Sequence, residues 1–247
     1  ISGIGAAYNL KTRCPQKSFT ILEGRSNLGG TWDLFKYPGI RSDSDMHTMG
    51  FKFKPWRSPK TIADAPSILS YLNETVDEFD LRKEIQFNKK VIAATWSSVD
   101  ALWNIKIEDQ TNQTIEEATC NFLYLCGGYY NYDEGYTPEF KNVEAFEGQV
   151  IHPQKWPEGL DYSDKKVIVI GSGATAVTIV PSMAEKVKHI TMLQRSPTYY
   201  FAAPDEDKIG NFIKKFTSDR LGYFLVRWKN ILMQRLMLNR LRKNPEK

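Results

Sequence analysis

Residues 167–195 read VIVIGSGATAVTIVPSMAEKVKHITMLQR, and the fold is decided here. Val167 to Ile170 form an apolar, β-branched run that enters Gly171-Ser172-Gly173-Ala174-Thr175-Ala176 without a break, which is G-x-G-x-x-A between an expected strand and an expected helix. In that context Gly171 permits a tight turn and Gly173 lets backbone N–H groups approach a pyrophosphate at a helix N-terminus. The small Ala176 lets helix and strand pack closely. A second strand, His189 to Gln194, follows and ends at Arg195 and Ser196. An acid at that place would accept a ribose 2′-hydroxyl and repel a 2′-phosphate; a guanidinium and a hydroxyl favour the phosphorylated coenzyme, NADP. A glycine-rich turn of some other α/β protein is the plainer reading, and the strand, the helix and the terminal Arg195 together weigh against it.

Working outward, the N-terminal end repeats the pattern in part. Ile1-Ser2-Gly3-Ile4-Gly5-Ala6-Ala7 runs at once into an expected helix, and Phe19, Ile21 and Leu22 make a strand closed by Glu23, twenty positions after Gly3. Gly3 reads as the last glycine of a second fingerprint whose first strand is missing, so the sequence is expected to be a fragment at this end, and also at Lys247, where it stops inside a helical stretch. Glu23 as the ribose-binding acid selects an adenosine without a 2′-phosphate, such as FAD; the plainer reading is a solvated acid at a strand end. Gly29-Gly30-Thr31-Trp32 follows, where paired glycines let backbone pass close to a bulky ligand. One site with an acid and another with a cation imply hydride traffic between flavin and NADPH. The expected architecture is α/β with two Rossmann-like dinucleotide-binding domains, the NADP domain inserted into the FAD domain and both incomplete.

Bulk properties narrow the function classes. The chain has 247 residues, a formal charge of +4, pI ≈ 8.8 and a mean hydropathy of −0.44. That balance suits anionic cofactors and is too weak to argue for nucleic acid. No apolar run approaches the roughly 18 residues that span a bilayer. Cys14, Cys120 and Cys126 are odd in number and widely spaced, so buried thiols in a reducing, cytoplasmic setting are expected rather than disulfides or a redox pair. His47, His152 and His189 lack partners at ligand spacing, and no metal site is expected. Between the fingerprints, Val91–Trp96 and Leu102–Ile107 read as paired strands around a turn at Ser97–Asp100, and Phe122–Cys126 as a further buried strand before Gly127 and Gly128. Residues 66–79 read as a helix with Ile68, Leu69, Leu72 and Val76 on its core face. Tyr129, Tyr130 and Tyr132 could line a pocket, although such clusters more often pack.

Phe146-Glu147-Gly148-Gln149-Val150-Ile151-His152-Pro153-Gln154-Lys155-Trp156-Pro157 fits F-x-G-x-x-x-H-x-x-x-W-P, and Gly30, Trp32, Tyr37, Pro38, Gly39 and Asp43 fit G-x-W-x-x-x-x-Y-P-G-x-x-x-D. In these two patterns the chain resembles the Baeyer-Villiger monooxygenases, and the resemblance spans essentially all of it. It implies an FAD-binding domain over 1–140, a linker over 141–164 and an NADP-binding domain over 165–247. It also implies contacts to FAD from Ser2, Gly3, Glu23, Thr31, Trp32, Asp33, Leu34, Asp43 and Val91. NADP would take Arg41, Ser42 and Asp43 near the nicotinamide, Gly171, Ser172, Gly173, Ala174, Thr175, Ala176 and Val177 at the pyrophosphate, and Arg195 with Ser196 at the 2′-phosphate. The chemistry implied is NADPH-driven oxygen insertion by a C4a-peroxyflavin, taking O2 and converting a ketone to an ester or oxidising a thioether sulfur. Asp43 would hold a catalytic arginine lying beyond Lys247, and His152 would couple domain movement to catalysis or merely anchor the linker. Two alternatives stay open: an N- or S-oxygenating flavin monooxygenase, and a catalytically inert nucleotide-binding fragment.

The basic segment 205–247 interleaves cations such as Arg220, Arg227, Lys229 and Arg235 with Leu221, Phe224, Trp228, Leu232 and Leu236. A helical insertion whose apolar face packs on the remainder of the protein is the commoner explanation, and peripheral contact with an anionic membrane surface the other.

Overall fold

The computed structural model describes residues 1–196, 200 and 204–243. In chain order its elements are α1 (Ser2–Arg13), β1 (Ile21–Leu22), α2 (Thr31–Leu34), α3 (Met46–Met49), α4 (Ala65–Glu78), β2 (Ile85–Gln86), β3 (Lys89–Ser97), β4 (Leu102–Asp109), β5 (Thr114–Cys120), β6 (Lys166–Ile170), α5 (Ala174–Met183), β7 (His189–Leu193), α6 (Lys208–Phe216) and α7 (Asp219–Lys243). They form two compact units that do not follow chain order. The first is Ile1–Lys36 with Pro66–Glu158, the second Tyr37–Ala65 with Gly159–Lys247.

In the first unit, α4 supplies the core. Ile68, Leu72 and Val76 recur at helical spacing and are fully buried, with Ile4 and Ala7 of α1 buried as well. Beside these helices, β1 and β2 pair in parallel, with Ile21 opposite Ile85. β3, β4 and β5 form an antiparallel meander in which Ile105 and Ile107 alternate inward. Its first turn is the polar one expected, closed by Ser97 Oγ donating to Asp100 Oδ2 at 2.8 Å. The strand register brings Trp96 against Trp103, ring centroids 5.6 Å apart. β5 was not visible in sequence: Thr114–Cys120 carries Glu116 and Glu117 side by side and no apolar alternation, and it forms because β4 offers it a free edge.

The expected buried strand at 122–126 is not there. Phe122 and Leu125 are each 80% exposed and the run joins no ladder. An apolar run becomes a buried strand only with hydrogen-bonding neighbours beside it, and among the described residues it has none. The three cysteines are free and half-buried rather than fully enclosed.

In the second unit, β6, α5 and β7 are a parallel strand–helix–strand unit, Val167 opposite Ile190 and Ile170 opposite Leu193. α5 covers the Val167 and Val169 face, whereas Ile168 and Ile170 on the other face are 62% and 58% exposed. The basic segment folds as α6 and α7, broken at Thr217–Ser218; residues 244–247 lie outside the described residues. No described helix is long and apolar enough to cross a membrane.

Candidate functional site

The glycine turn after β6 is held by its own ladder: the Gly171 amide donates to Leu193 O at 2.8 Å, and Gly171 takes φ +126°, a conformation that side chains disfavour. Gly173 differs. Its backbone is ordinary extended chain, and a Cβ built there, as at Gly171, would meet nothing within 4 Å. Neither backbone conformation nor internal packing demands glycine at 173, so the missing side chain keeps space open directly over the helix N-terminus. No side chain caps α5; its first internal bond runs from the Val177 amide to Gly173 O, leaving the amides of Ala174, Thr175 and Ala176 without intrahelical acceptors. Those donors and the helix dipole make a fitting cradle for a phosphate group. Ala176 is buried beneath it, while Arg195 and Ser196 stand exposed just past the end of β7.

The Tyr-Pro-Gly motif rests on this same helix. Tyr37 is buried and its hydroxyl is hydrogen-bonded to the Thr175 side chain; burial raises its pKa, the Asp43 charge adds to the rise and the Thr175 bond opposes it. Gly39 has φ +76°, and a Cβ there would lie 1.8 Å from Ser182 Oγ. The chain then runs beside 61–65, with the Ser42 amide donating to Ala63 O at 2.8 Å and the Met46 amide to Thr61 O at 2.8 Å. Arg41 and Asp43 are exposed. Ser42 is buried, its hydroxyl donating to Ser44 O at 2.7 Å and accepting from the Ser44 amide at 3.1 Å. The second unit therefore collects Arg41, Ser42, Asp43, residues 171–177, Arg195 and Ser196 from distant parts of the sequence.

In the first unit, Ser2 and Gly3 open α1, and Gly3 faces Ile21 and Cys126 at ordinary contact distance. Glu23 directly follows β1; its Oε1 accepts the Arg25 amide at 3.0 Å, and burial raises its pKa against the pull of Arg25. Arg25 was not singled out in sequence. Its guanidinium binds the buried Asp33 carboxylate at 2.5 Å and lies 5.7 Å from the Tyr132 ring centroid. Asp33 thus serves Arg25 and, at 3.5 Å, Lys36. Tyr132 is hydrogen-bonded to the Thr31 side chain, and its oxygen would be 3.1 Å from a Cβ at Gly30. At Gly29, with φ +130°, a Cβ would be 2.4 Å from Leu69 Cδ2, so this glycine has a packing reason within the chain. Trp32 and Leu34 are half-buried on α2, and Val91 is 39% exposed at an irregularity of β3. Glu23, Arg25, Thr31, Asp33 and Tyr132 form one polar cluster; of these Glu23 had a spacing signal, Thr31 and Asp33 came from the resemblance, and Arg25 and Tyr132 were not expected at the site.

His152 is held tightly. Its Nδ1 accepts the Gln154 amide at 3.2 Å, and a Cβ at Gly135 would fall 2.1 Å from its Cε1. Gln154 is buried and donates to Asn131 O at 2.6 Å. Phe146 in turn lies over Gly148, where a Cβ would be 2.5 Å from the ring. The histidine end of the pattern is therefore tied to 131–135, while its aromatic and glycine pack on each other.

Comparisons with known proteins agree with this geometry. The profile described as flavin-binding monooxygenase-like matches residues 54–244. The chain is 51% identical over 248 residues to the FAD-containing monooxygenase EthA of Mycobacterium tuberculosis, covering 100% of this chain and 50% of that relative. It is also 51% identical over 247 residues to the probable FAD-binding monooxygenase AlmA of Acinetobacter baylyi, covering 100% and 49%. Among solved structures, ε-caprolactone-bound cyclohexanone monooxygenase in the Loose conformation superposes with a TM-score of 0.70 at 29% identity, over 81% of this chain and 39% of that one. OTEMO in complex with FAD and NADP gives a TM-score of 0.67 at 31% identity, over 79% and 37%. The chain spans about half the length of the curated relatives it matches. On the profile match and these identities, the chain belongs to the flavin-binding monooxygenase-like family.

Proposed function

We propose that the whole protein is an NADPH-dependent, FAD-containing monooxygenase of the Baeyer-Villiger type, acting on a ketone or a thioether. The observation that carries this reading is the open turn at Gly171–Gly173 above α5, with Tyr37 and Gly39 of the second signature seated on that same helix. The amides of Ala174, Thr175 and Ala176 would take the NADP pyrophosphate, with Ser172 and Val177 flanking it. Arg195 and Ser196 would take the 2′-phosphate through charge-assisted bonds. Arg41, Ser42 and Asp43 would border the nicotinamide, Ser42 through its backbone carbonyl because its hydroxyl is already committed to Ser44 and its amide to Ala63. In the first unit Glu23 would accept a ribose hydroxyl of FAD, with Ser2, Gly3, Thr31, Trp32, Leu34 and Val91 around it. Arg25 and Asp33 would set the shape of that cradle from beneath.

When bound, FAD supplies the redox chemistry and the activation of O2. The residues of this chain bind, orient and shield. Arg195 distinguishes the two nicotinamide coenzymes by charge, and Asp43 offers a carboxylate to hold a catalytic cation in place. His152, clamped between Gly135 and the Gln154 amide, serves as a fixed anchor for the stretch that bears the signature.

The test is product analysis on the full-length protein, supplied with FAD, NADPH, isotopically labelled O2 and a cyclic ketone beside a thioether. Ester carrying one labelled oxygen is the expected product. Sulfoxide without any ester would replace this reading with the heteroatom-oxygenating one, and neither product would favour a non-catalytic nucleotide-binding protein.

A further inference from the structure

The helix α3 is a single turn, Met46–Met49, directly after the Arg41–Asp43 segment, and so short a helix has no stability of its own. Both of its ends are held by α7. At its start, Asp45 is the N-cap, its carboxylate accepting the Thr48 amide at 3.0 Å, and the same carboxylate takes Asn230 Nδ2 at 3.0 Å and Gln234 Nε2 at 3.1 Å. At its end, Arg227 Nη1 donates to the carbonyl oxygens of His47 and Thr48 at 2.7 and 3.0 Å. The guanidinium is itself steadied by Tyr223, whose hydroxyl is 3.0 Å away and whose ring centroid is 5.8 Å away. A carboxylate at the amide end and a cation at the carbonyl end is the polarity that the helix dipole favours.

Arg227, Asn230 and Gln234 lie three and four positions apart, so they form one stripe on α7. Val226 and Tyr223 are buried on the same side, whereas Phe224, Trp228 and Leu232 are exposed. Within this chain α7 thus turns Arg227 and Asn230 inward with Gln234 at the exposed edge, and that stripe is spent on α3. On the other side of Asp43, the Ser42 amide is fixed to Ala63 O at 2.8 Å. Asp43 is therefore suspended between two anchors, one on 61–65 and one on α7, and Asp45 is at most about 8 Å of chain from it.

We propose that Arg227, with Asn230 beside it, is a positioning residue for the coenzyme: by holding α3 from α7 it sets the placement of Arg41–Asp43. The proposal rests on the reading of Arg41–Asp43 as part of the NADP site. Removing Arg227 leaves two carbonyls without their cation and releases the turn that Asp43 leads into, so the coenzyme loses a preorganised partner while its phosphate cradle on α5 stays intact.

The test uses the full-length protein in four variants, with NADP+ affinity measured by calorimetry and hydrogen exchange followed at the amides of 43–50. Arg227→Ala should weaken NADP+ about tenfold and speed exchange at 43–50, and Arg227→Lys, which can still reach the carbonyls, should recover most of both. Val226→Ala, a buried neighbour on the same helix, should lower the melting temperature and leave NADP+ affinity unchanged. Arg227→Ala binding NADP+ like wild type, with 43–50 still protected, overturns the proposal. The fourth variant, Arg41→Ala, separates the failures. If it weakens NADP+ and Arg227→Ala does not, the positioning role alone is wrong. If Arg41→Ala also has no effect, the assignment of Arg41–Asp43 to the coenzyme is wrong and the positioning role falls with it.

Discussion

His47 is a residue whose burial has a measurable consequence. It is 1% exposed, and among the described residues neither ring nitrogen has a hydrogen-bond partner. Burial, reinforced by Lys214 and Lys229 and partly opposed by Asp45 and Asp207, lowers its pKa from 6.5 to about 4. The unfolded chain therefore takes up a proton near pH 6.5 that the folded chain refuses until about pH 4, and stability drains away as pH falls through that window. The loss should reach about 3 kcal/mol at its largest. Urea unfolding between pH 4 and 7 should show this loss in the wild type and a correspondingly flatter profile in His47→Leu, which has no titrating group and leaves no orphaned nitrogen. Parallel profiles would mean that His47 does not control the acid limb. Residues of this kind were only partly legible in sequence. Glu23 could be singled out because its distance from Gly3 matches the fingerprint, whereas the Arg25 guanidinium reaches Asp33 and the Tyr132 ring only once the chain has folded, and nothing in the local spacing announces that.

Among the elements, strand, turn and helix at 166–193 could be read directly because each local signal agrees with the next: a β-branched run, glycines where φ or open space calls for them, then a helix with small residues against the sheet. The run at 122–126 misled for the opposite reason. Its apolar residues describe a strand only in the company of neighbouring strands, and periodicity cannot report who the neighbours are. β5 escaped because an edge strand need not be apolar, and α7 was half legible, its helix plain and its inward polar stripe invisible until α3 was seen against it. The docking of Tyr37-Pro38-Gly39 on α5 yields a prediction at this scale. Gly39→Ala combines a left-handed backbone with a Cβ 1.8 Å from Ser182 Oγ, so it should cost about 2–4 kcal/mol in chemical unfolding. A loss under about 1 kcal/mol would show that the motif does not bear tightly on α5.

For the whole molecule, the sequence leads to the expectation of two nucleotide-binding folds, one with an acid and one with an arginine at a strand end, since that difference is a chemical choice and not a packing one. It could not disclose how the segments regroup. The stretch Tyr37–Ala65 belongs with the C-terminal half, where Tyr37 and Gly39 meet α5 and Asp45 meets α7. This regrouping places the middle of one signature on α5, the helix that follows the Gly171–Ala176 turn. The central claim is that the complete protein passes hydride from NADPH, recognised by Arg195, to a bound FAD. Its most direct test is anaerobic mixing of the flavin-loaded full-length protein with NADPH or NADH, in the wild type and in Arg195→Ala, while the flavin absorbance is followed. The account predicts that NADPH bleaches the wild-type flavin at far lower concentration than NADH does, and that Arg195→Ala weakens NADPH about ten- to a hundred-fold with NADH nearly unchanged. A protein that binds no flavin, a flavin that neither coenzyme reduces, or equal losses for both coenzymes in Arg195→Ala would contradict it.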